Sequence, residues 1–540
     1  MGAGPTRLNE TTVMQAAQGV VSHLMSHLGE AECRERGVVI GYDHRRSGEL
    51  SSEGFAALAA EVCMERGLRV MLFEGFTHTP LVPFAVRELG AAAGLMMTAS
   101  HNPAADNGVK VYWDGAQSGA QLLSPHDEAI SRCIARELEP WGAYGGGAAA
   151  VRANALCSDP TAAMSERYFE ELRRQLCRRR PQNAALPREQ PLIMYTGMHG
   201  VGLPFAARAF EEFALPPFAQ CAEQCQPDPT FPTVDKPNPE HAPALKLAVE
   251  AAERCGALLV LANDPDADRL AVAERQNDGA WHHFTGDQIG ALLADWEWQN
   301  YRVREGGGGR PVMLNTAVSS TMLAAMANDL GFAREETLTG FKWLCNRAHE
   351  LRKDGMEVLL SYEEAIGFCL ADVVPDKDGV GGAATFAEMW FSLRETASTN
   401  ALQHFEKLVA RHGRFTRSSW SRACHTQDEV DAVFASMRDV DAASGAPRYN
   451  SLASCGMELL SVRDLKNGFD SSKDDGVPRL PCDPEVEMLT LRYGSAAEEG
   501  ASATLTIRAS GTEPLVKFYL EGSFDEHAAG LVQEEIEGLL

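Results

Sequence analysis

A chain of 540 residues exceeds what one hydrophobic core can organise, so several domains of roughly 100–200 residues each are expected. Its composition, 45% hydrophobic and 23% charged, is that of a soluble globular protein. A formal net charge of −26 argues against nonspecific binding to nucleic acid or anionic membrane, and no run approaches the ~18 apolar residues of a membrane span.

Apolar residues at three- and four-residue steps from Val13 to Leu28, preceded by capping side chains at Asn9 to Thr12, predict an amphipathic helix. A strand (Val38 to Tyr42), a helix (Ser51 to Arg66), a strand (Leu68 to Phe73), a short helix (Val82 to Leu89) and an apolar run from Ala91 to Met97 follow. Strands alternating with helices indicate a βαβ domain with a largely parallel sheet. The glycine- and alanine-rich stretch Trp141 to Ala150 reads as a loop, and the basic, proline-containing Arg178 to Gln190 as a boundary. A second α/β unit has strands at Leu192 to Thr196 and Ala257 to Ala262, with helices near Pro204 to Phe213 and up to Cys255. Gly306 to Gly309 reads as a flexible linker, and Val312 to Thr316 opens a third α/β unit. From about Ser418 the pattern changes to strands such as Ala503 to Ile507 and Val516 to Leu520, closed by a helix from Asp525 to Leu539. The fold class is therefore α/β, with three α/β domains over residues 1–190, 191–307 and 308–417 and an α+β domain over 418–540. Thirteen scattered cysteines include no CxxC pair, and Cys221 and Cys225 lack the His/Cys partners of a zinc site. Reduced thiols and a cytoplasmic location are expected.

Four segments carry chemistry. The run Thr98-Ala99-Ser100-His101-Asn102-Pro103 follows an apolar strand, so Ser100 belongs at a strand's carboxyl end, where open α/β sheets place their chemistry. Alone, it reads more often as turn chemistry before a proline. Asp264-Pro265-Asp266-Ala267-Asp268-Arg269 alternates carboxylates, which in an extended loop project to one side. Three converging carboxylates repel and need a cation; hard oxygen ligands suit Mg²⁺, and Arg269 can hold a phosphate oxygen. In isolation such a loop is more often a solvated turn. Ser100 has no Gly-x-Ser-x-Gly elbow, so it is read as a carrier of a phosphoryl group beside that metal instead of an acyl nucleophile. His101 and Lys110 lie near it in sequence, and Lys110 fits a general acid/base if burial near other cations lowers its pKa. Glu363-Glu364 before Ala365-Ile366-Gly367 can bind adjacent sugar hydroxyls, and Arg508-Ala509-Ser510-Gly511-Thr512 has the makings of a phosphate nest.

Together these motifs resemble the α-D-phosphohexomutase superfamily, over essentially the whole chain. Within it, Asp-Pro-Asp-Ala-Asp-Arg, Leu338-Thr339-Gly340-Phe341-Lys342-Trp343 and Glu363-Glu364-Ala365-Ile366-Gly367 look like the eukaryotic phosphoglucomutase-2/phosphopentomutase branch, which includes glucose-1,6-bisphosphate synthase. The resemblance implies four domains around a central cleft, a phosphorylated Ser100, and Mg²⁺ held by the Ser100 phosphate, Asp264, Asp266 and Asp268. It implies Lys110 as acid/base and His101 beside it. Substrate would be bound by Arg45, Arg269, Thr339, Gly340, Lys342, Glu364, Lys377, Arg508, Ser510, Gly511 and Thr512. The implied activity interconverts pentose and hexose 1-phosphates with their 5- or 6-phosphates, primed by a sugar bisphosphate. A monomer whose partners are small sugar phosphates is expected.

Two departures bear on this. Ile366 and Phe368 stand where many hexose mutases have Ser and His, which implies relaxed hexose selectivity and room for ribose or deoxyribose 1-phosphate. The family's Gly-Thr-Ala-Gly-Leu-Arg segment has no counterpart, so either the gene model is truncated or this form lacks an early strand and an arginine. The alternatives to a mutase are a glucose-1,6-bisphosphate synthase and an inactive sugar-phosphate binder.

Overall fold

The computed structural model describes residues 1–4, 6–303, 309–438, 451–483, 486–495, 501–510 and 515–539. Packing divides the chain into two units, one of Met1–Asn315 with Thr339–His404, the other of Thr316–Leu338 with Phe405–Leu540.

The first unit begins with the helix Glu10–Leu28, whose Asn9 and Thr12 cap each other's backbone N–H groups. Its apolar face, including Val13, Val21 and Leu24, packs with Ile40, Phe55, Leu72 and Leu95 in one core. Each such fully buried side chain contributes roughly 1.5–3 kcal/mol. The sheet beneath runs Val109–Trp113, Ala93–Met97, Val38–Tyr42, Val70–Leu72, Cys157–Ser158. It is parallel except for Val109–Trp113, which returns antiparallel to Ala93–Met97. That return sets Lys110 opposite Met96, one strand away from the chain that leads into Ser100. The expected loop at Trp141 to Ala150 holds only in part: Gly147–Ala153 is helical, because its alanines favour helix more than its single glycine opposes it.

A second sheet places Leu259–Ala262 parallel to Ile193–Thr196 and antiparallel to Ala271–Arg275, so the Asp264 loop leaves the carboxyl end of a fully buried central strand. In a third, Arg310–Thr316 runs parallel to Met356–Glu363, which turns back into Gly367–Leu370. The helix Gly379–Thr396 follows, capped by Asp378, which accepts from Val380 N and Gly381 N. Of the expected linker, residues 306–308 lie outside the described residues.

In the second unit an antiparallel sheet orders Thr416–Ala423, Leu515–Gly522, Ser502–Ala509, Met488–Gly494, Met457–Asp464 and Ser451–Leu452. The helices Gln427–Arg438 and Glu526–Leu539 contribute Phe434, Val532 and Ile536 to its core. The segment Thr316–Leu338 is tied to this sheet through Thr321, whose N and Oγ1 donate to Glu521, and through the two-pronged Arg463–Glu336 pair. All thirteen cysteines are free. Among the described residues no helix is long and apolar enough to cross a membrane.

Histidines held neutral by the fold should make it acid-sensitive. Neither ring nitrogen of His78 has a hydrogen-bond partner, its ring lies 3.9 Å from Phe205, and burial pushes its pKa down to about 3. His23 and His126, joined nitrogen to nitrogen at 3.0 Å, are lowered too, first by burial. Below pH ~6.5 the unfolded chain takes up protons that the folded His78 refuses until about 3, so stability present above 6.5 is lost as pH falls. His78→Leu should remove up to about 1.4 kcal/mol per pH unit of that slope, read from urea midpoints between pH 6.5 and 4.

Candidate active site

Ser100 stands at the end of the strand Ala93–Met97 in a left-handed conformation (φ 51°), rare for a residue with a side chain. Two sets of contacts hold it there. Its N–H donates to Thr98 Oγ1 (2.9 Å), and the loop around it is gripped by Arg45. The Arg45 guanidinium donates to the carbonyls of Ser100 (2.5 Å), Asn102 (2.7 Å), Pro103 (2.8 Å) and Asp106 (3.3 Å). Asp43 lies 3.4 Å from Arg45 Nε and accepts from Ser52 Oγ. Arg45 is 1% exposed, and its guanidinium is spent on the carbonyls of the serine loop, which it positions. A lysine or alanine cannot make those four bonds. Arg45→Ala should lower kcat about 100-fold, as loss of a positioning group does. Steady-state kinetics beside a thermal melt would separate that from unfolding.

Ser100 Oγ donates to Asp264 Oδ2 at 2.9 Å, across 164 residues of sequence. Asp264, Asp266 and Asp268 are each fully buried, and one carboxylate oxygen from each lies within 4.8 Å of the others. Among the described residues no other set of acids, histidines or cysteines converges in this way. The loop is not extended as its alternation suggested. Ala267 is left-handed (φ 57°) and its N–H donates to Asp264 O, a tight turn that draws the three carboxylates together. Gly200 permits the turn: a Cβ there would fall 2.2 Å from Pro265 Cα, and Val201 N donates to Pro265 O.

Thr79, which the sequence reading missed, clamps Asp266 twice, Oγ1 to Oδ2 (2.5 Å) and N–H to the backbone carbonyl (2.8 Å). Lys110 Nζ bonds Asp266 Oδ2 (2.7 Å) and Asp268 Oδ2, and Lys377 Nζ lies 3.1 Å from Asp268 Oδ2. The expectation that neighbouring cations lower Lys110 is overturned. Burial works against its charge, but Asp266 and Asp268 hold its pKa well above an ordinary lysine's. Lys377 is raised likewise, burial being outweighed by Asp268 and Asp376. Tyr112 Oη and Gln121 Nε2 each donate to Asp376 at 2.8 Å, fixing the acid beside Lys377.

Asp264 is pushed well above the carboxylate range by burial and then by Asp266 and Asp268, whereas Asp266, despite burial, is held low by Lys110 and Thr79. The outer oxygens Asp266 Oδ1 and Asp268 Oδ1 are buried without a hydrogen-bond partner. Orphaned oxygens on two of three converging buried aspartates are a donor set that suits a hard divalent cation, so the residues fit a metal ion. His101 Nδ1 is 3.3 Å from Ser100 Oγ, and burial followed by Arg269 drives its pKa to about 2, a neutral ring. Arg269 N donates to Asp264 Oδ1, its Nε lies 3.9 Å from Asp264 Oδ2, and its backbone bridges to Gly367.

Glu363 ends the strand Met356–Glu363, its pKa raised to about 7 by burial foremost, against the pull of Lys377. Glu364 follows in a turn closed by left-handed Ile366 (φ 55°); a Cβ on Gly286 would meet Glu364 O at 2.1 Å, so that glycine lets the turn pack close. Thr339 and Gly340 precede the helix Phe341–Lys353, and Lys377 Nζ lies 5.5 Å from the Phe341 ring centroid. Lys342 Nζ lies over Trp343. In the second unit Arg508 pairs with Met488 and Lys517 across the sheet, and Ser510 N donates to Leu515 O. Gly511 and Thr512 lie outside the described residues.

Sequence comparison matches four family models to this chain. "Phosphoglucomutase/phosphomannomutase, alpha/beta/alpha domain I" covers residues 1–141, domain II 166–279, domain III 285–408, and the C-terminal domain 493–539. A Mus musculus protein named phosphopentomutase is 39% identical over 529 residues, 96% of this chain and 82% of the relative. A Homo sapiens glucose 1,6-bisphosphate synthase is 38% identical over 550 residues, 100% of this chain and 85% of the relative. In fold, the chain is similar to a phosphoglucomutase/phosphomannomutase family protein of Burkholderia thailandensis (TM-score 0.66, 18% identity, 100% of this chain and 95% of that one). It is similar as well to parafusin, a phosphoglucomutase of Paramecium (TM-score 0.65, 16% identity, 96% and 90% covered).

Proposed function

The chain belongs to the phosphoglucomutase/phosphomannomutase family and is a phosphosugar mutase, and from this premise we propose that it acts on pentose and hexose phosphates through a phosphorylated Ser100. The observation that carries the reading is the 2.9 Å bond between Ser100 Oγ and Asp264 inside a buried tri-aspartate loop. Asp264, Asp266 and Asp268, with a phosphate oxygen on Ser100, would hold Mg²⁺. Bound there, the ion supplies positive charge against the charge of the transferring phosphoryl group.

A sugar bisphosphate primes the enzyme: Ser100 Oγ forms a bond to phosphorus as the sugar oxygen leaves with the serine proton. In turnover, the free hydroxyl of a sugar 1-phosphate attacks the Ser100 phosphorus, the Oγ–P bond breaks, and a bisphosphate forms. It turns over in the site and returns its other phosphate to Ser100. Lys110, held cationic by Asp266 and Asp268, gives a proton to Oγ as it leaves and recovers one from the attacking hydroxyl, so the transfer is proton-neutral. Lys377, Glu364 and the 339–342 loop bind the sugar, and Arg508, Ser510, Gly511 and Thr512 its distal phosphate. Arg45 supports the serine loop. The same family pattern underlies a division into domains over 1–190, 191–307, 308–417 and 418–540.

Incubating ribose 1-phosphate and glucose 1-phosphate separately with Mg²⁺ and a bisphosphate should yield the 5- and 6-phosphates, the pentose turning over at least as fast. No isomerisation of either by folded protein would overturn the proposal. The likeness to glucose 1,6-bisphosphate synthase supports a second reading. On that reading, transfer from 1,3-bisphosphoglycerate to glucose 1-phosphate would far exceed isomerisation.

A further inference from the structure

A cavity of about 490 Å³ opens at the far end of the helix Gly379–Thr396, roughly 25 Å along that helix from Lys377. Its walls are the turn after the strand Ala271–Arg275, the last turn of that helix at Arg394, and residues 398–403, which lead into the helix Ala401–His412. The charge of this lining is unlike that of the whole. Arg275 and Arg394 both face it and no Asp or Glu does, in a chain of formal net charge −26. Among the described residues neither arginine has an ion-pair partner.

Glu274, buried and next to Arg275 in the chain, is already spent. Glu274 accepts from Trp390 Nε1 (2.6 Å), Ala401 N (3.1 Å) and Leu402 N (3.1 Å), so it does not compete for the arginines. Arg394 is steadied 4.8 Å above the Trp390 ring. The carboxamides are ordered as well. Asn400 Nδ2 donates to Gln276 Oε1, while Gln403 Oε1 accepts from Thr399 Oγ1 and Asn400 N, which turns its own amide donor the other way. Leu258 is the one large apolar side chain in the lining, so an aromatic or lipid ligand finds little to pack on.

We propose that this cavity binds a phosphorylated sugar at a site separate from the Ser100 loop. Two guanidinium groups take the phosphate, and the amide donor of Gln403 with Asn277 and Ser398 takes sugar hydroxyls. The volume suits a small molecule.

Calorimetric titration of the full chain with ribose 5-phosphate, inorganic phosphate and ribose tests this. The wild type should show one more ribose 5-phosphate site per chain than Arg275→Ala/Arg394→Ala, with turnover and melting unchanged. Arg275→Glu alone, which leaves the Trp390 stack intact, should lose the same site. Ribose should not bind the extra site, and inorganic phosphate should bind it about tenfold more weakly than the sugar phosphate, about 1.4 kcal/mol. Equal site numbers in wild type and variants would overturn the proposal, as would inorganic phosphate binding as tightly. The comparison subtracts two proteins with the same Ser100 loop, so failure of the mutase reading would change both counts alike and leave the difference intact.

Discussion

Ser100→Ala is expected to abolish isomerisation, with kcat falling on the order of 10⁴-fold or more, because no other hydroxyl can carry the phosphoryl group between the two half-reactions. The cost to the fold should be small. The variant loses one hydrogen bond to Asp264, worth about 1 kcal/mol. The Arg45 contacts that hold the loop go to backbone carbonyls, which alanine retains. A coupled assay for product, beside a urea denaturation curve, separates the two effects. Turnover within tenfold of wild type would remove Ser100 from the chemistry.

Asp266→Asn is the second large effect. The substitution keeps the shape that Thr79 clamps but removes one of three charges that a cation would balance. Mg²⁺ affinity should drop at least about 100-fold, and turnover with it. Metal-free stability should move little, since Lys110 keeps Asp268 as partner and the repulsion on Asp264 is relieved. In wild type, Mg²⁺ at 100 times its Kd should stabilise the fold by about 2.7 kcal/mol; in the variant the same concentration should add almost nothing. An equal Mg²⁺-induced shift in both proteins would contradict the metal assignment.

The parts of the site legible in the sequence were those written in contiguous residues. Ser100 at a strand end and three aspartates in five residues follow from spacing and strand rules, and both lie where those rules put them. What escaped was carried by pairs far apart in the chain. Thr79 meets Asp266 across 187 residues, and Gln121 meets Asp376 across 255. No periodicity marks such pairs; the only trace of Thr79 is its place in the His78-Thr79-Pro80 turn before the helix Leu81–Leu89. Charge environments are hidden from the sequence for a related reason: the antiparallel return of the Lys110 strand delivers its amine to two carboxylates on a loop of a different sheet. Arg45 could be recognised as part of the serine neighbourhood, yet not as a ligand of four carbonyls, because the residues it grips acquire their direction only when the left-handed turn at Ser100 forms. Within the fold, helices with caps and alternating strands were readable, whereas the short helix Gly147–Ala153 was hidden by the glycines preceding it.

The most direct test of the central claim is the intact mass of the protein after incubation with glucose 1,6-bisphosphate and Mg²⁺. The protein should carry one phosphoryl group per chain, mapped to Ser100 by peptide fragmentation, absent from Ser100→Ala, and discharged when ribose 1-phosphate is added. An active protein that carries no phosphate on Ser100, or a phosphate that persists in Ser100→Ala, would contradict it.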